Sequence, residues 1–296
     1  MKIYKKIKSR YRKFKRHPIT HDNSFTSLMR YISFNIKNRI VDEQIIEWIG
    51  NLKFYARKGD AGLVGNIYFG LYEFEESIFL LHFIRKEDVF LDIGANLGHY
   101  SLLLSGLKHC KSIAIEPIPV TYKRFRRNIK LNKLESFINP IQCGIADKEG
   151  ALYFSTDRST MDRIVSKKYK NSVEVPVFSI DAIITKIPQV LKLDVEGYEY
   201  FALKGAENLL NSSDLKVIIL ELNKSGRKYG IDDKVIFQLL VEKGFRPFEY
   251  DFKNRDIIEL KSFNTHKFNT LFVRDIDFVK NRLIQGDKIK IRNKEF

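Results

Sequence analysis

The stretch VFLDIGANLGHYSLLL, from Val89 to Leu104, opens a regular alternation of strands and helices. A short apolar strand (89–93) leads to helix 98–107, and strand 112–116 leads to helix 118–134. Strand 137–143 leads to the turn ADKEG and then ALYFST, and residues 157–170 interrupt with a basic run. Strand 173–178, a short helix at 180–185, strand 189–194 with helix 198–210, and strand 216–221 with helix 232–243 complete the series. Each helix carries the chain back to start the next strand in the same direction. The pattern therefore predicts an α/β fold with a doubly wound, mostly parallel sheet covered on both faces. RPFEYDF and NTLFVRD close it with no helix between them, which predicts one antiparallel strand at or near the sheet edge.

Upstream, Phe25, Leu28, Met29, Ile32, Ile36, Ile40, Ile45 and Ile49 recur with helical period, predicting one or two helices over 24–49. NLKFYAR (51–57) reads as a short strand, GDAGLVGNIYFG (59–70) as loop, and YEFEESIFLLHFI (72–84) as helix. The chain thus divides into a basic segment (1–16), a helical N-terminal region (17–87), the sheet domain (88–275) and a basic C-terminal tail (276–296).

Charge is uneven along the chain. Lys and Arg number 52 against 36 Asp and Glu, a net +16. Residues 1–16 hold nine Lys/Arg and no acid, leaving 16 − 9 = +7 for the rest. Ile3, Tyr4, Ile7, Tyr11 and Phe14 fall on one side of a helix within that segment. Such a helix suits an anionic membrane surface, nucleic acid, an acidic partner, or solvent as a frayed tail. Cys110 and Cys143 lie apart and outside any C-x-x-C pair, which fits a reduced compartment without a disulfide framework. No apolar run approaches the ~20 residues of a membrane span, and the N-terminus lacks the apolar core of a secretory signal. The expected location is cytoplasmic, with at most a peripheral membrane contact.

The glycine turn narrows the ligand. A dinucleotide turn has glycines at three spaced positions; here those positions hold Gly94, Asn96 and His99. The pattern is D-x-G-x-N-x-G instead, with Asp92 before Gly94 and Gly98 closing it. An acid at that place opposes a pyrophosphate and suits a cationic group. S-adenosylmethionine has an ammonium and carboxylate at its methionine end, a sulfonium at its centre and no phosphate. Asp92 suits the ammonium, Gly94 permits close backbone approach, and the free N–H groups of the helix start near Gly98 suit the carboxylate. Glu116 ends the next strand and suits both ribose hydroxyls. Asp147 or its neighbouring backbone falls near the adenine edge, with a plain turn aspartate as the competing reading. His99 is read either as an ordinary helix-start residue or as part of the donor pocket wall.

These stretches together resemble the FkbM family of S-adenosylmethionine-dependent methyltransferases. The similarity rests on DVFLDIGANLGHYSLLLS (88–105), IEPIPVTYKRFRRNIKLN (115–132), GIADKEGALYFS (144–155), SIDAII (179–184), LKLDVEGYEYFALKGAENLL (191–210) and IILEL (218–222). GNIYFGLYEFEE (65–76) resembles the lead-in of many members. The resemblance covers roughly 60–250 and implies a seven-stranded, Rossmann-like class I methyltransferase domain whose last strand is antiparallel. It also implies methyl transfer to oxygen, on hydroxyls of sugars, glycans or other small molecules.

In LKLDVEGYEY, Lys192, Asp194 and Glu196 alternate with apolar residues at the end of a strand expected to be buried. They mark either a site edge or a structural ion pair. As catalytic groups, Asp194 first and Glu196 second, they would take the proton of an acceptor hydroxyl or hold a divalent cation that acidifies it. The remaining histidines show no metal-ligand spacing. The basic run 157–170 would cover an anionic acceptor or lie solvated. The place where amino-directed nucleic-acid methyltransferases carry an Asn/Asp-Pro-Pro-aromatic motif reads DVEG, which has no slot for a flipped base. No sequence-specific nucleic acid is therefore expected as a partner, although a nucleic-acid methyltransferase and a non-catalytic scaffold in glycan assembly remain the alternatives.

Overall fold

Two packed helices, α1 (Lys2–Arg16) and α2 (Ser24–Lys37), begin the chain. The computed structural model describes residues 2–156, 164–267 and 269–296. The helix expected in the basic segment forms, but its apolar side is partly occupied: Tyr4 is exposed, whereas Phe14 is not available. Phe14 is fully buried and meets the rings of Tyr68 and Phe69 edge-on, at 6.5 and 5.1 Å. The helical pattern expected to run on to residue 49 stops at Lys37. Residues Gln44–Glu47 form a strand (β1) that pairs antiparallel with β2 (Lys53–Ala56), placing Ile45 opposite Tyr55 and Ile46 opposite Phe54. Cross-strand pairing of β-branched and aromatic residues outweighs a weak helical period there.

The glycine-rich stretch expected as loop contains a helix, α3 (Ala61–Phe69). Its glycines disfavour a helix intrinsically, but Leu63, Val64, Tyr68 and Phe69 are buried and offset that cost. Asp60 precedes it, accepting from the Arg57 N–H at 2.7 Å and pairing with both guanidinium ends of Arg124. Helix α4 (Phe74–Phe83) follows and is buried almost throughout.

The main sheet then assembles from β3 (Val89–Ile93), β4 (Lys111–Ile115) and β5 (Ile138–Ile141), with α5 (His99–Lys108) and α6 (Pro119–Leu131) as the crossovers. A separate four-stranded sheet comes next: β6 (Gly144–Ile145), β7 (Gly150–Ser155), β8 (Ile164–Val165) and β9 (Ser172–Phe178). The basic run of 157–170 falls here, and its first seven residues, 157–163, lie outside the described residues. After α7 (Ile180–Ile183), β10 (Val190–Leu193) returns to the main sheet on the other side of β3. The single helix expected over 198–210 is two short ones, α8 (Glu199–Lys204) and α9 (Glu207–Asn211). Strand β11 (Val217–Glu221), helix α10 (Asp233–Glu242), β12 (Arg246–Asp251), β13 (Asp256–Glu259) and β14 (Asn269–Val273) complete the sheet.

Its order is β13-β12-β14-β11-β10-β3-β4-β5. This is the doubly wound α/β arrangement expected from the sequence, with an eighth strand added to the seven. The addition, β13, is a four-residue hairpin partner of β12 whose outer side chains are exposed, so it carries no apolar run to announce it. Two strands run antiparallel rather than one. Strand β14 is inserted between β11 and β12, and β13 forms the edge. The winding reverses between β3 and β10, which places a crevice beyond their carboxyl ends.

The last 21 residues, 276–296, expected as a basic tail, are folded. Helix α11 (Ile276–Ile284) buries Val279 and Leu283, and a small hairpin, β15 (Lys290–Ile291) with β16 (Lys294–Glu295), buries Ile291. Phe296 meets Phe74 and Phe252 at 5.0 and 6.0 Å. Arg292 donates to the Ile67 carbonyl and Lys294 to the Pro18 carbonyl, both at 2.9 Å, tying the C-terminus to the N-terminal helices. Apolar residues spaced between charges gave no run long enough to signal this packing.

Candidate functional site

The turn after β3 passes directly beneath the end of β10. Gly94 has φ +82°, and a Cβ on it would stand 1.9 Å from the Asp194 carbonyl oxygen. Glycine is required twice over there, by conformation and by space. The Gly94 and Ala95 N–H groups both donate to the Ile115 carbonyl, at 3.0 and 2.9 Å, which stitches the turn to the end of β4. Asn96 is left-handed (φ 51°), and its N–H donates to Glu116 Oε2 at 3.0 Å. The other Glu116 oxygen accepts from the Ile118 N–H at 2.9 Å. A carboxylate oxygen carries two lone pairs, so one backbone N–H does not by itself saturate it.

A cavity of about 690 Å³ lies beyond this turn. Glu116, Asp194 and Glu196 supply its charge, while Ile115, Ile118, Phe154 and the Cys143–Ile145 segment supply apolar walls. Acids at the edge of a slot with apolar walls form an environment that suits a ribose diol and a flat base. Asp147, expected near the adenine edge, is exposed and is not among the lining residues; the chain segment just before it is. Gly98 likewise is not among the residues that line this cavity. It starts α5 with φ +95°, and a Cβ there would fall 2.2 Å from the Phe125 ring, so its role is to let α5 pack against α6.

A second cavity, about 520 Å³, adjoins the first and is lined by Glu73, Asp92, Asp194 and Lys192 together with His99 and Tyr100. Asp92 is buried and accepts from the Ser101 N–H at 3.2 Å and the Ser101 hydroxyl at 2.5 Å. It therefore caps the first turn of α5 while it faces the cavity. Burial pushes its pKa up to about 6. Burial also raises Glu73, whose carboxylate accepts from the Tyr100 hydroxyl at 2.5 Å. Lys192 is the sole cation lining this cavity among the described residues. Burial opposes its charge, but Asp194, Glu73, Glu221 and Asp92 outweigh burial and hold the ammonium above its ordinary value. Three acids and one cation match a ligand end that carries both an ammonium and a carboxylate.

His99 belongs to the wall rather than to the chemistry. Its Nδ1 accepts from the Asn66 amide at 3.0 Å, and its Nε2 donates to the Ser77 hydroxyl at 2.9 Å, which in turn donates to the Tyr72 carbonyl. Burial, helped by Lys192, drives its pKa down to about 3, so the ring is neutral. This chain of bonds ties α3, α4 and α5 together and sets Tyr72 and Glu73 at the cavity rim.

Both cavities open toward a wider cleft of about 1760 Å³. Its floor carries Glu73, Glu76, Asp194, Glu196 and Glu221, and its rim carries Lys13 and Arg16 of α1 and Lys267. Burial pushes Glu76 up to about 7; burial and the Asp194 charge do the same to Glu221. Asn96 and Asp194 line all three spaces. Glu196 lines the first cavity and the cleft. It holds a left-handed conformation (φ 54°) that is rare away from glycine, and its carbonyl accepts from the Lys228 ammonium. Among the described residues, no group of three or more His, Cys, Asp or Glu is arranged to hold a metal ion.

The structure thus gathers Asp92, Gly94, Asn96, Glu116, Asp194 and Glu196 at one crevice and leaves Gly98 and Asp147 outside the lining. Sequence reasoning did not select Glu73, Glu76, Lys13 or Arg16. Glu73 and Glu76 stand in the lead-in stretch GNIYFGLYEFEE, whose similarity was their only signal. Glu221 stands at the end of β11, and its polarity there was its only signal.

The sequence model of the methyltransferase FkbM domain matches residues 92–247. The hexuronic acid methyltransferase AglP of Haloferax volcanii is 27% identical over 167 residues, which are 55% of this chain and 65% of that protein. The chain thus spans slightly less than two thirds of that relative's length. Methyltransferase sdnD of Sordaria araneosa is 27% identical over 192 residues, covering 52% of this chain and 72% of that protein. Among solved structures, a methyltransferase FkbM from Methylobacillus flagellatus KT is 14% identical with a TM-score of 0.45, covering 83% of this chain and 59% of that one. The family model takes in more than half of the chain, including the glycine turn and the strand ends that build the crevice: the protein belongs to the FkbM methyltransferase domain family.

Proposed function

We propose that the protein transfers a methyl group from S-adenosylmethionine to a hydroxyl of an acidic sugar, glycan or similar small acceptor. The observation that carries this reading is the meeting of three spaces at Asn96 and Asp194. One space suits an adenosine, one suits an amino-acid end, and the widest suits an acceptor. Glu116 would hold the ribose; Asp92, Glu73 and Lys192 would hold the methionine end. When bound, S-adenosylmethionine supplies an electrophilic methyl group.

The chain's own contribution is to place and deprotonate the acceptor. Asp194, about one third exposed, sits where the acceptor cleft joins the donor cavities, and Lys192 Nζ orients it from 3.3 Å. Asp194 takes the hydroxyl proton as the oxygen–methyl bond forms and the methyl–sulfur bond breaks with its electrons left on sulfur. Glu196 is the second candidate for that proton. Lys13 and Arg16, which have no ion-pair partner among the described residues, face the cleft and suit a carboxylate or phosphate on the acceptor. A hexuronic acid methyltransferase among the relatives supports an acidic sugar.

Calorimetry with S-adenosylhomocysteine and methyl transfer to paired uronic-acid and neutral-sugar acceptors test the reading. Asp194→Asn should lower kcat by roughly 10²–10⁴-fold with donor affinity nearly unchanged. Full turnover in both Asp194→Asn and Glu196→Gln would remove these residues from the chemistry. Absence of donor binding would remove the whole reading.

A further inference from the structure

Helix α2 is apolar on two opposite sides. Tyr31 and Phe34 face the core, and Ser24 and Ser27 are buried with them. Phe25, Met29 and Ile36 lie together on the other side at helical spacing, 65%, 41% and 54% exposed. Ile40 and Val41 are exposed just past the helix end, and Ile45 is exposed on β1. Of twelve large apolar side chains exposed among the described residues, these are six, gathered within 21 positions. Scattered apolar side chains on a surface need no explanation, but a contiguous stripe does.

The charge around the stripe says what covers it. Residues 1–41 hold twelve Lys/Arg and one acid, Asp22, so this segment carries 12 − 1 = +11 of the chain's +16. Asp22 is itself paired with Lys294 at 2.7 Å. Arg30 and Lys37 are exposed on α2 itself, and α1 packs alongside with Arg10 over the Tyr31 ring. A second copy of the chain would bring the same positive surface against this one. Nucleic acid would answer the charge but leave the aliphatic stripe in water. An anionic bilayer answers both, with headgroups for the Lys/Arg and the acyl boundary for Phe25, Met29 and Ile36.

We propose that the outer face of α2, together with basic α1, docks the protein on anionic membrane surfaces. The main apolar contact is made by α2, because Phe14 of α1 is spent on the core and, among the described residues of α1, Tyr4 alone is an exposed large apolar side chain. No helix among the described residues is long and apolar enough to cross a membrane, so the docking is interfacial.

Flotation of the full chain with phosphatidylcholine vesicles, with and without roughly one third phosphatidylglycerol, tests this. The protein should float with the anionic vesicles and stay behind with the neutral ones. Phe25→Ser/Met29→Ser/Ile36→Ser should weaken partitioning about tenfold or more while melting temperature and S-adenosylhomocysteine affinity stay unchanged. Equal binding to both vesicle types would overturn the proposal, as would a triple variant that binds like the parent. So would a parent dimer that the triple variant separates, or tight binding to a duplex oligonucleotide without vesicle binding.

Discussion

Lys192 and Asp194, two residues apart where β10 meets the crevice, form an ion pair of 3.3 Å in which the ammonium side chain is 2% exposed and the carboxylate 35%. The strand register sets Lys192 beside Asp92, and Glu73 and Glu221 also act on it. One buried cation therefore holds a ring of acids together. Lys192→Met would leave those acids facing one another. Removing one partner of a buried pair typically costs about 3–5 kcal/mol, and that loss should appear in denaturant unfolding at pH 8. It should shrink at pH 5, where part of the ring is protonated. A loss independent of pH would mean that Lys192 contributes packing alone.

Gly94 tolerates no side chain. Its φ of +82° and the 1.9 Å approach of the Asp194 carbonyl act together, and the obstacle is backbone. Gly94→Ala should force β3 and β10 apart at their ends and reduce S-adenosylhomocysteine affinity at least tenfold, about 1.4 kcal/mol, with a lowered melting temperature. Calorimetry and thermal unfolding measure both. An alanine variant that binds normally would show that the turn does not shape the donor site.

Glu116 accepts two backbone N–H groups and faces the cavity proposed to hold the adenosine. Glu116→Ala removes the proposed ribose contacts and loosens the turn at Asn96. Hydrogen bonds to a charged group are worth about 1.5–3 kcal/mol, so donor KM should rise by roughly one to two orders of magnitude. Acceptor KM should move little. An acceptor effect as large as the donor effect would contradict the division of the crevice into donor and acceptor spaces.

Glu76 tests the electrostatics of the cleft. Burial, with Glu73 and Glu75 nearby, raises it from the ordinary carboxylate range to about 7. The folded state then holds a proton that the unfolded chain releases, so stability falls as pH rises from about 4.5 to 7. Glu76→Gln carries no such charge. It should match the parent at pH 4 and melt a few degrees higher at pH 8. A variant that melts lower at pH 8 would mean that an ionised Glu76 is stabilised by a partner.

Much of the architecture was legible because strand and helix periods are local. The alternation from Val89 onward dictates a doubly wound sheet, and Asp92, Gly94, Asn96 and Glu116 stand at strand ends that such a sheet must bring together. The spacing D-x-G-x-N also argues for a cationic ligand end without any coordinates. What local pattern could not supply was any contact between distant segments. Glu73 reaches the site only because Asn66, His99 and Ser77 hold α3, α4 and α5 together. Gly98 lets α5 pack against Phe125 of α6, a contact that no local pattern announces. The basic first helix looked free, yet Phe14 is buried between Tyr68 and Phe69, and the exposed apolar face belongs to α2. Periodicity says which side of a helix is apolar. Which apolar side is buried is decided by the neighbour that arrives to cover it, and only the tertiary structure names that neighbour.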